Sequence, residues 1–245
     1  MKRKLAAAAL ILLIWKVFSL VIGSDIILPG PEAVFGSLIS LIKDPVFYSS
    51  LLSTLWKGIL SSFLIGAVGI PIGFLMGVSK LAADLMEPIV TVLQSVPVIS
   101  WLALAIFMWG IGWKGPVLLT FLSLLPVAII NTASGVLNVD SKLVEMAKVF
   151  NVRASKVFKV IYLGSLLPFT AATMRIILGN VWKTIVVTEF LCGDKGIGVM
   201  ISWARSYVDT PKIFALTLVA VALALSFQSI MDGTLGRIVK RWRLF

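Results

Sequence analysis

Arg175, Lys183 and Glu189 interrupt a long apolar run, residues 164–192, whose other residues suit a membrane. Ionisable side chains at such positions form ion pairs, bind ionic solutes or line a water-filled path, because isolated charge in lipid is costly. The sequence has no His and only one Cys, Cys192, which excludes imidazole catalysis, His-ligated metal sites and an intrachain disulfide. We therefore predict no catalytic residue and no bound metal, and we expect the three charges to serve binding, conduction or structure.

The spacing of these charges places two of them on one side of a helix. At 100° per residue, five residues fall within about 80° of one another: Arg175, Gly179, Trp182, Val186 and Glu189. An ionisable residue at the centre of a span costs about 2.5–3.5 kcal/mol, so this face is expected toward the bundle interior or a water-filled path. In the alternative, Arg175 and Glu189 extend to opposite membrane interfaces. Lys183 lies about 80° from Arg175 and then needs a partner or a wet cavity of its own.

A second polar group surrounds Pro97 in an earlier apolar segment. Gln94, Ser95 and Ser100 are compatible with a solute path and equally with hydrogen bonds between helices. The predicted pathway candidates are therefore Gln94, Ser95, Ser100, Arg175, Lys183 and Glu189. Pro71 and Pro97 are each expected to kink a helix, because proline removes a backbone donor.

The elements that must position these residues are transmembrane helices. Hydrophobic residues make up 59% of the chain and charged residues 13%, about half the charged share of a soluble domain. A spanning helix needs roughly 20 mostly apolar residues, and six segments qualify: about 5–23, 51–78, 88–112, 115–135, 164–192 and 213–232. We predict an all-α, polytopic membrane protein with about six transmembrane helices. The first run follows three basic residues like a signal peptide, but its length and the lack of a clear cleavage pattern favour a retained span.

The distribution of Lys and Arg predicts that both termini are cytoplasmic. With six spans, the segments on that side contain thirteen basic residues: Lys2, Arg3, Lys4, Lys80, Lys142, Lys148, Arg153, Lys156, Lys159, Arg237, Lys240, Arg241 and Arg243. The segments on the other side contain five: Lys43, Lys114, Lys195, Arg205 and Lys212. Cytoplasmic loops carry an excess of basic residues, so topology explains the net charge of +11 better than nucleic-acid binding does.

Small residues recur along one face of the second span. They are Ser62, Gly66, Gly69, Gly73 and Gly77, at spacings of four, three, four and four. Such a stripe lets two helix backbones approach closely in lipid. We predict helix packing here, against another span of the same chain in preference to another subunit.

A basic, amphipathic segment separates the fourth and fifth spans. Within 140–163, apolar residues recur at helical spacing in two groups: Leu143, Met146, Ala147 and Phe150, then Ala154, Val157, Phe158 and Ile161. Asn151 lies between the groups, and Asn tolerates the left-handed conformation that a tight turn can require. A pair of short helices tethered at both ends fits a groove in another protein, whereas an isolated basic helix would be read as lying on lipid.

The same segment resembles the EAA loop of ABC importer permeases. That pattern reads E-A-A, three residues, G, nine residues, I-x-L-P, and its spacing matches 145-EMAKVFN-151 followed by 161-IYLG-164. Met146, Asn151 and Gly164 replace the Ala, Gly and Pro of the pattern. From residue 26 on, further segments resemble the nitrate, sulfonate and taurine subgroup, among them 96-VPVISWLALAIFMWGIG-112, 174-MRIILGNVWKTIVVTEF-190 and 193-GDKGIGVMI-201.

This resemblance implies a permease subunit of a type I importer in the inner membrane of a prokaryote. Its expected partners are a second permease copy, most simply in a homodimer, two cytoplasmic ATP-binding subunits, an extracytoplasmic solute-binding protein and membrane lipid. It assigns ATPase coupling to Glu145, Met146, Ala147, Phe150, Asn151, Val152, Arg153, Ile161 and Leu163. The sequence has no G-x-x-x-x-G-K-[ST] pattern, so ATP and Mg²⁺ are expected on the partner, with no cofactor and no enzyme activity on this chain.

The expected organisation has three parts. Residues 1–25 form an N-terminal transmembrane helix, 26–50 an external amphipathic segment, and 51–245 a permease core of five spans that includes the coupling loop 138–163. The subgroup indicates a small anionic, sulfonate- or nitrate-like solute or a vitamin precursor. A stand-alone ion-coupled carrier or channel is the alternative, although the halves lack the matching broken segments of inverted-repeat carriers. An intramembrane enzyme would need paired carboxylates or a Ser–Lys dyad at one depth, which the scattered charges do not supply.

Overall fold

The computed structural model describes residues 2–138, 145–147, 149–153 and 163–242, and within these ranges it contains helices and no strand. The helices are α1 Lys2–Ile22, α2 Pro31–Lys43, α3 Pro45–Val78, α4 Lys80–Ser95, α5 Val98–Trp109, α6 Lys114–Leu137, α7 Leu163–Cys192, α8 Ile197–Ser206 and α9 Thr210–Trp242. Pro31 and Pro45 lie in first turns, where a missing N–H is tolerated. The predicted all-α membrane fold is confirmed.

Three helices are each long and apolar enough to cross a membrane: α3, α6 and, over Thr210–Gly233, α9. Two helix pairs pass the same test only together, α4 with α5 and the Thr170–Cys192 part of α7 with α8, and these pairs bend by 89° and 49°. Helix α1 contains the shorter apolar stretch Ala9–Ile22, and the four residues that precede it, 5–8, are apolar as well. By length and composition the described residues therefore contain three to five spans, and the number six stays a prediction.

The third predicted span is broken. Helix α4 ends at Ser95, Val96 is extended, with φ −75° and ψ 120°, and α5 begins after Pro97. Proline lacks the backbone donor and also disfavours the helical conformation of the residue before it. The interruption predicted at Pro97 is therefore present, as a full break with a bend of 89° between two helices in place of a kink within one helix. Pro71 differs, because α3 continues past it to Val78.

The stripe of small residues on α3 packs within the chain. At three successive levels its glycines face residues of α6: Gly69 beside Ala128, Gly73 beside Thr132 and Gly77 beside Val136. An added Cβ at Gly69 would lie only 2.6 Å from the Cβ of Ala128. Gly66 faces Met174 of α7, and Ser62 is buried. The prediction of intrachain helix packing is confirmed, since side chains at these positions would separate the backbones.

Helix α7 lies at the centre of the bundle and packs against α3, α6, α8 and α9. Ile177, Val181 and Ile185 recur every four residues and are fully buried, so they form its buried face. Trp182 is also buried, and its ring lies 4.0 Å from that of Phe227 on α9. These contacts set the rotation of α7, and with it the directions of the three charges on this helix.

Helix α2 lies within the predicted external segment and ties α1 to the rest of the chain. Its buried residues Val34 and Leu41 join a core cluster with residues of α8 and α9. The Trp15 indole of α1 donates to the carbonyl of Pro29 at 3.0 Å. Lys16 donates to the carboxylate of Glu32, and this hydrogen bond lowers the pKa of Glu32.

Candidate functional site

Glu189, near the C-terminal end of α7, is buried in an ion pair with Lys57 of α3. The Lys57 Nζ lies 3.1 Å from Oε1 of Glu189, and the side chains are 1% and 0% exposed. The Thr54 hydroxyl donates to Oε2 at 2.8 Å, and the Gly198 N–H donates to the same oxygen at 3.2 Å. Both carboxylate oxygens therefore have donors, which is the condition under which a buried ion pair is tolerated. The predicted interior position of Glu189 is confirmed.

The loop between α7 and α8 closes over the lysine of this pair. Lys57 also donates to the carbonyl of Lys195 and lies 3.7 Å from the carboxylate of Asp194. The hydroxyl of Ser53 donates to the same carbonyl of Lys195 at 3.2 Å. The ammonium group is thus held by α7 and by the loop at once, and α3 is joined to both.

Gly196 makes the bend between α7 and α8 compatible with the ion pair. Its φ is +138°, a conformation that side chains rarely adopt, and a Cβ built on it would overlap the Glu189 carboxylate. The next N–H, that of Ile197, donates to the hydroxyl of Thr54 at 2.9 Å. The 193-GDKGIG-198 sequence therefore forms a turn that presents backbone groups to Thr54 and Glu189.

Arg175 pairs with Asp232 of α9 and does not approach Glu189. Its Nε lies 2.7 Å from Oδ1 of Asp232, and Nη2 donates to Oδ2 at 2.8 Å. The two side chains are 57% and 40% exposed. Asp232 of α9 thus supplies the counter-charge of Arg175 at the helix surface, and the position of Arg175 on a water-filled path stays a prediction.

The remaining pathway candidates lie on the surface of the isolated chain. Gln94, Ser95 and Ser100 are exposed on both sides of the α4–α5 break, and Lys183 is exposed on α7. The Ser95 hydroxyl donates to the carbonyl of Thr91 at 2.8 Å. The structure does not gather the six candidates into one site of the isolated chain. Their role in a solute path stays a prediction.

The described part of the loop after α6 exposes apolar side chains. Met146, Val149 and Phe150 are exposed, whereas Ala147 is buried. Glu145, Val152 and Arg153 are also exposed. Ile161 and the second predicted helix lie outside the described residues, and so does the side chain of Leu163, which begins α7.

Asn151 ends the first turn of this loop in a left-handed conformation. Its φ is +50°, and the N–H of Val152 donates to the carbonyl of Ala147 at 2.9 Å. A helix end of this kind favours Gly or Asn at the left-handed position. The expectation that Asn151 occupies a tight turn is confirmed.

A family model of the binding-protein-dependent transport system inner membrane component matches residues 69–244. The match runs from the last third of α3 to α9 and includes the loop at 145–153. The chain belongs to this family. The ion pair and the loop described above are accordingly parts of an inner membrane transport permease.

Named relatives place this permease near the subgroup predicted from its motifs. It is 30% identical over 237 residues to a putative aliphatic sulfonates transport permease protein of Bacillus subtilis strain 168, covering 96% of this chain and 85% of that protein. It is 26% identical over 232 residues to the taurine transport system permease protein of Escherichia coli K12, covering 91% of this chain and 84% of that protein. The predicted resemblance to the nitrate, sulfonate and taurine subgroup is confirmed.

The fold of this permease also matches a solved transporter. A chain of the inward-facing MetNI methionine ABC transporter superposes with a TM-score of 0.68 at 19% identity, covering 80% of this permease and 96% of that chain. At this identity the likeness concerns the fold alone. It confirms that the helices of this permease have the arrangement of an ABC importer membrane subunit.

Sequence reasoning missed the two partners that neutralise the predicted charges, Lys57 and Asp232. The sequence could have predicted a partner for Lys57, because a lone cation within a membrane span requires a counter-charge at similar depth. Glu189 fits that requirement, since both residues lie toward the same side in a topology where α3 and α7 run in opposite directions. Within the described ranges no group of three or more His, Cys, Asp or Glu could hold a metal ion, and the predicted lack of a metal stays a prediction.

Proposed function

We propose that this permease works in a complex with a second permease copy, two cytoplasmic ATP-binding subunits and an extracytoplasmic binding protein. Each permease copy supplies half of the solute path, and membrane lipid surrounds the pair. Both termini lie in the cytoplasm, in agreement with the distribution of Lys and Arg. ATP and Mg²⁺ bind to the partner subunits, which supply the hydrolysis, because this sequence contains no phosphate-binding glycine loop.

The loop after α6 is the observation that carries this proposal. Met146, Val149 and Phe150 are 52%, 77% and 74% exposed on one short turn. Neighbouring apolar side chains exposed together favour a contact with another protein. Glu145 and Arg153 flank the turn and supply the charges of a polar rim. A cytoplasmic ATP-binding subunit with an apolar groove fits this surface, and the turn then transmits motion to α6 and α7.

The solute is a small anion of the sulfonate or nitrate class or a vitamin precursor. The relatives named for taurine and aliphatic sulfonates support this class, because both solutes carry a sulfonate group. The selectivity of the complex depends jointly on the binding protein and on the path.

We expect Phe150→Ala to weaken binding of the ATP-binding subunit at least about tenfold, because exposed aromatic anchors often dominate such interfaces. The stability of the permease itself should hardly change, since the side chain is mostly exposed. Binding is measured by titrating the ATP-binding subunit against the purified permease in detergent. Transport is measured as ATP-driven solute uptake into proteoliposomes.

Phe107→Ala is the matched control for this measurement. Phe107 is 90% exposed on α5, near the membrane side opposite to the loop in the predicted topology. Its replacement should leave binding of the ATP-binding subunit unchanged. Equal binding by the Phe150 variant and the parent protein would contradict the proposed contact, and uptake without any ATP-binding subunit would favour a stand-alone carrier.

We expect Asn151→Gly to be tolerated and Asn151→Val to be disfavoured by about 1–2 kcal/mol, because a β-branched residue at φ +50° is strained. Neither change should affect membrane insertion, since the turn lies between spans. Stimulation of ATP hydrolysis by loaded binding protein, measured in the reconstituted complex, should fall for Val and persist for Gly. Normal stimulation with Val would mean that the left-handed turn is not needed for coupling.

A further inference from the structure

The structure accounts for the cations within the predicted spans with one exception. The four are Lys16, Lys57, Arg175 and Lys183. Three have carboxylate partners: Lys16 with Glu32, Lys57 with Glu189 and Arg175 with Asp232. Lys183 forms no ion pair with any residue in the described ranges. Since Lys57 neutralises Glu189, the charge of Lys183 has no counterpart within the described part of the chain.

Lys183 lies on an exposed stripe of α7. The exposed residues on this side are Ala172, Ile176, Lys183, Val187 and Leu191, at spacings of four, seven, four and four. These spacings correspond to one helix face. Elsewhere around its circumference α7 packs against α3, α6, α8 and α9 and makes a smaller contact with α5, so this stripe is the side left open in the isolated chain.

The depth of Lys183 requires water or a counter-charge from outside the chain. Helix α7 has 30 residues, and Lys183 lies roughly 8 Å along the axis from its midpoint. The hydrocarbon core extends about 15 Å to each side of the membrane centre. An ammonium group facing lipid at that depth is costly, so the stripe belongs to a water-filled path or to a contact with the second copy.

We propose that Lys183 binds the anionic group of the solute in the transport path, and that this group is a sulfonate or a similar oxyanion. The inference rests on the proposed function, because the path forms between two permease copies. The exposed α7 stripes of the two copies then line one path. Each copy contributes one Lys183, so the path contains two positive charges. The ammonium group offers three donors. Asn180, one turn earlier, adds an amide whose Nδ2 uses one hydrogen for the carbonyl of Ile176 at 2.9 Å and retains a second.

A charge-sensitive labelling experiment tests this role without knowledge of the natural solute. Val187→Cys, one turn after Lys183, is placed in a Cys192→Ser background of the complete complex in liposomes. The probes are two methanethiosulfonates of similar size, the anionic ethylsulfonate and the cationic ethyltrimethylammonium. Their labelling rates are compared with and without ATP and Mg²⁺. Replacing Lys183 by Met should lower the ratio of anionic to cationic rates about fivefold, whereas Lys183→Arg should preserve the ratio.

Lys43→Met is the matched control, because Lys43 is an exposed lysine at the end of α2 and is not among the residues predicted to line the path. This variant should leave the labelling ratio unchanged. Excess methanesulfonate should slow labelling of Cys at position 187 by the anionic reagent when Lys183 is present. It should not slow this labelling when Lys183 is replaced by Met. Lys183→Gln serves as a second neutral variant if the Met variant fails to assemble.

Two results would overturn the assignment. Absence of labelling at position 187 in both nucleotide states would mean that the second copy covers the stripe. A ratio that neutral variants leave unchanged would mean that the charge of Lys183 is compensated by a neighbouring subunit. In either case, binding of the ATP-binding subunit is measured on the same sample. Normal binding would mean that only the role of Lys183 is wrong, whereas absence of binding would contradict the proposed function itself.

Discussion

Lys57→Met is expected to lower the free energy of unfolding by about 3–5 kcal/mol, because it leaves the Glu189 carboxylate buried without its cation. Glu189→Gln should also be destabilising but less so, since the Lys57 ammonium keeps the Asp194 carboxylate at 3.7 Å and the carbonyl of Lys195 as partners. The measurement is unfolding of the purified permease in mixed micelles with increasing amounts of denaturing detergent. The same variants should also lose the ion pair that joins α3 to the bend between α7 and α8.

The double variant Lys57→Met with Glu189→Met separates the buried pair from general damage to the helices. Replacing both charges by apolar groups removes the desolvation cost together with the attraction, so its stability should recover part of the loss. The rest of the loss should remain, because the Thr54 hydroxyl and the Gly198 N–H lose their acceptor.

Arg175→Met provides the matched exposed pair. It should cost at most about 1 kcal/mol, because Arg175 and Asp232 are half exposed. Equal losses for Lys57→Met and Arg175→Met would contradict the buried geometry.

Gly196→Ala is expected to destabilise the bend strongly, for two reasons. The φ of +138° strains any residue with a Cβ by about 1–3 kcal/mol. In addition, the new methyl group would overlap the Glu189 carboxylate and displace it from Lys57. The total loss of unfolding free energy should therefore approach that of breaking the ion pair. Transport should fall with it, because α8 loses its fixed angle to α7.

Gly36→Ala is the control for this prediction. Gly36 lies within α2, and no atom would meet an added Cβ there within 4 Å. Alanine in the middle of a helix is more stable than glycine by about 0.5–1 kcal/mol, so this variant should be neutral or more stable. If Gly196→Ala matched Gly36→Ala in unfolding experiments, the bend would not have the conformation described above.

Several features of this permease follow from the sequence because they depend on local composition and spacing. The length of the apolar runs predicts membrane helices, and the Lys and Arg counts predict their orientation. The glycine spacing on α3 predicts close packing, and the structure locates that packing on α6. The motif around Glu145 predicts a coupling loop, and the left-handed Asn151 agrees with the turn expected between its helices.

Only the tertiary structure decided which charges meet. Helical periodicity assigns a residue to a face of its own helix, but it does not state which neighbouring helix covers that face. Glu189 and Lys57 are 132 positions apart in the chain, and Arg175 and Asp232 are 57 apart. The break at Pro97 was likewise predicted as a kink, because sequence alone does not determine how far a helix turns when its backbone bonds are interrupted. The unpaired charge of Lys183 likewise became evident only from the structure. It required knowledge of which carboxylates pair with the other three cations in the predicted spans.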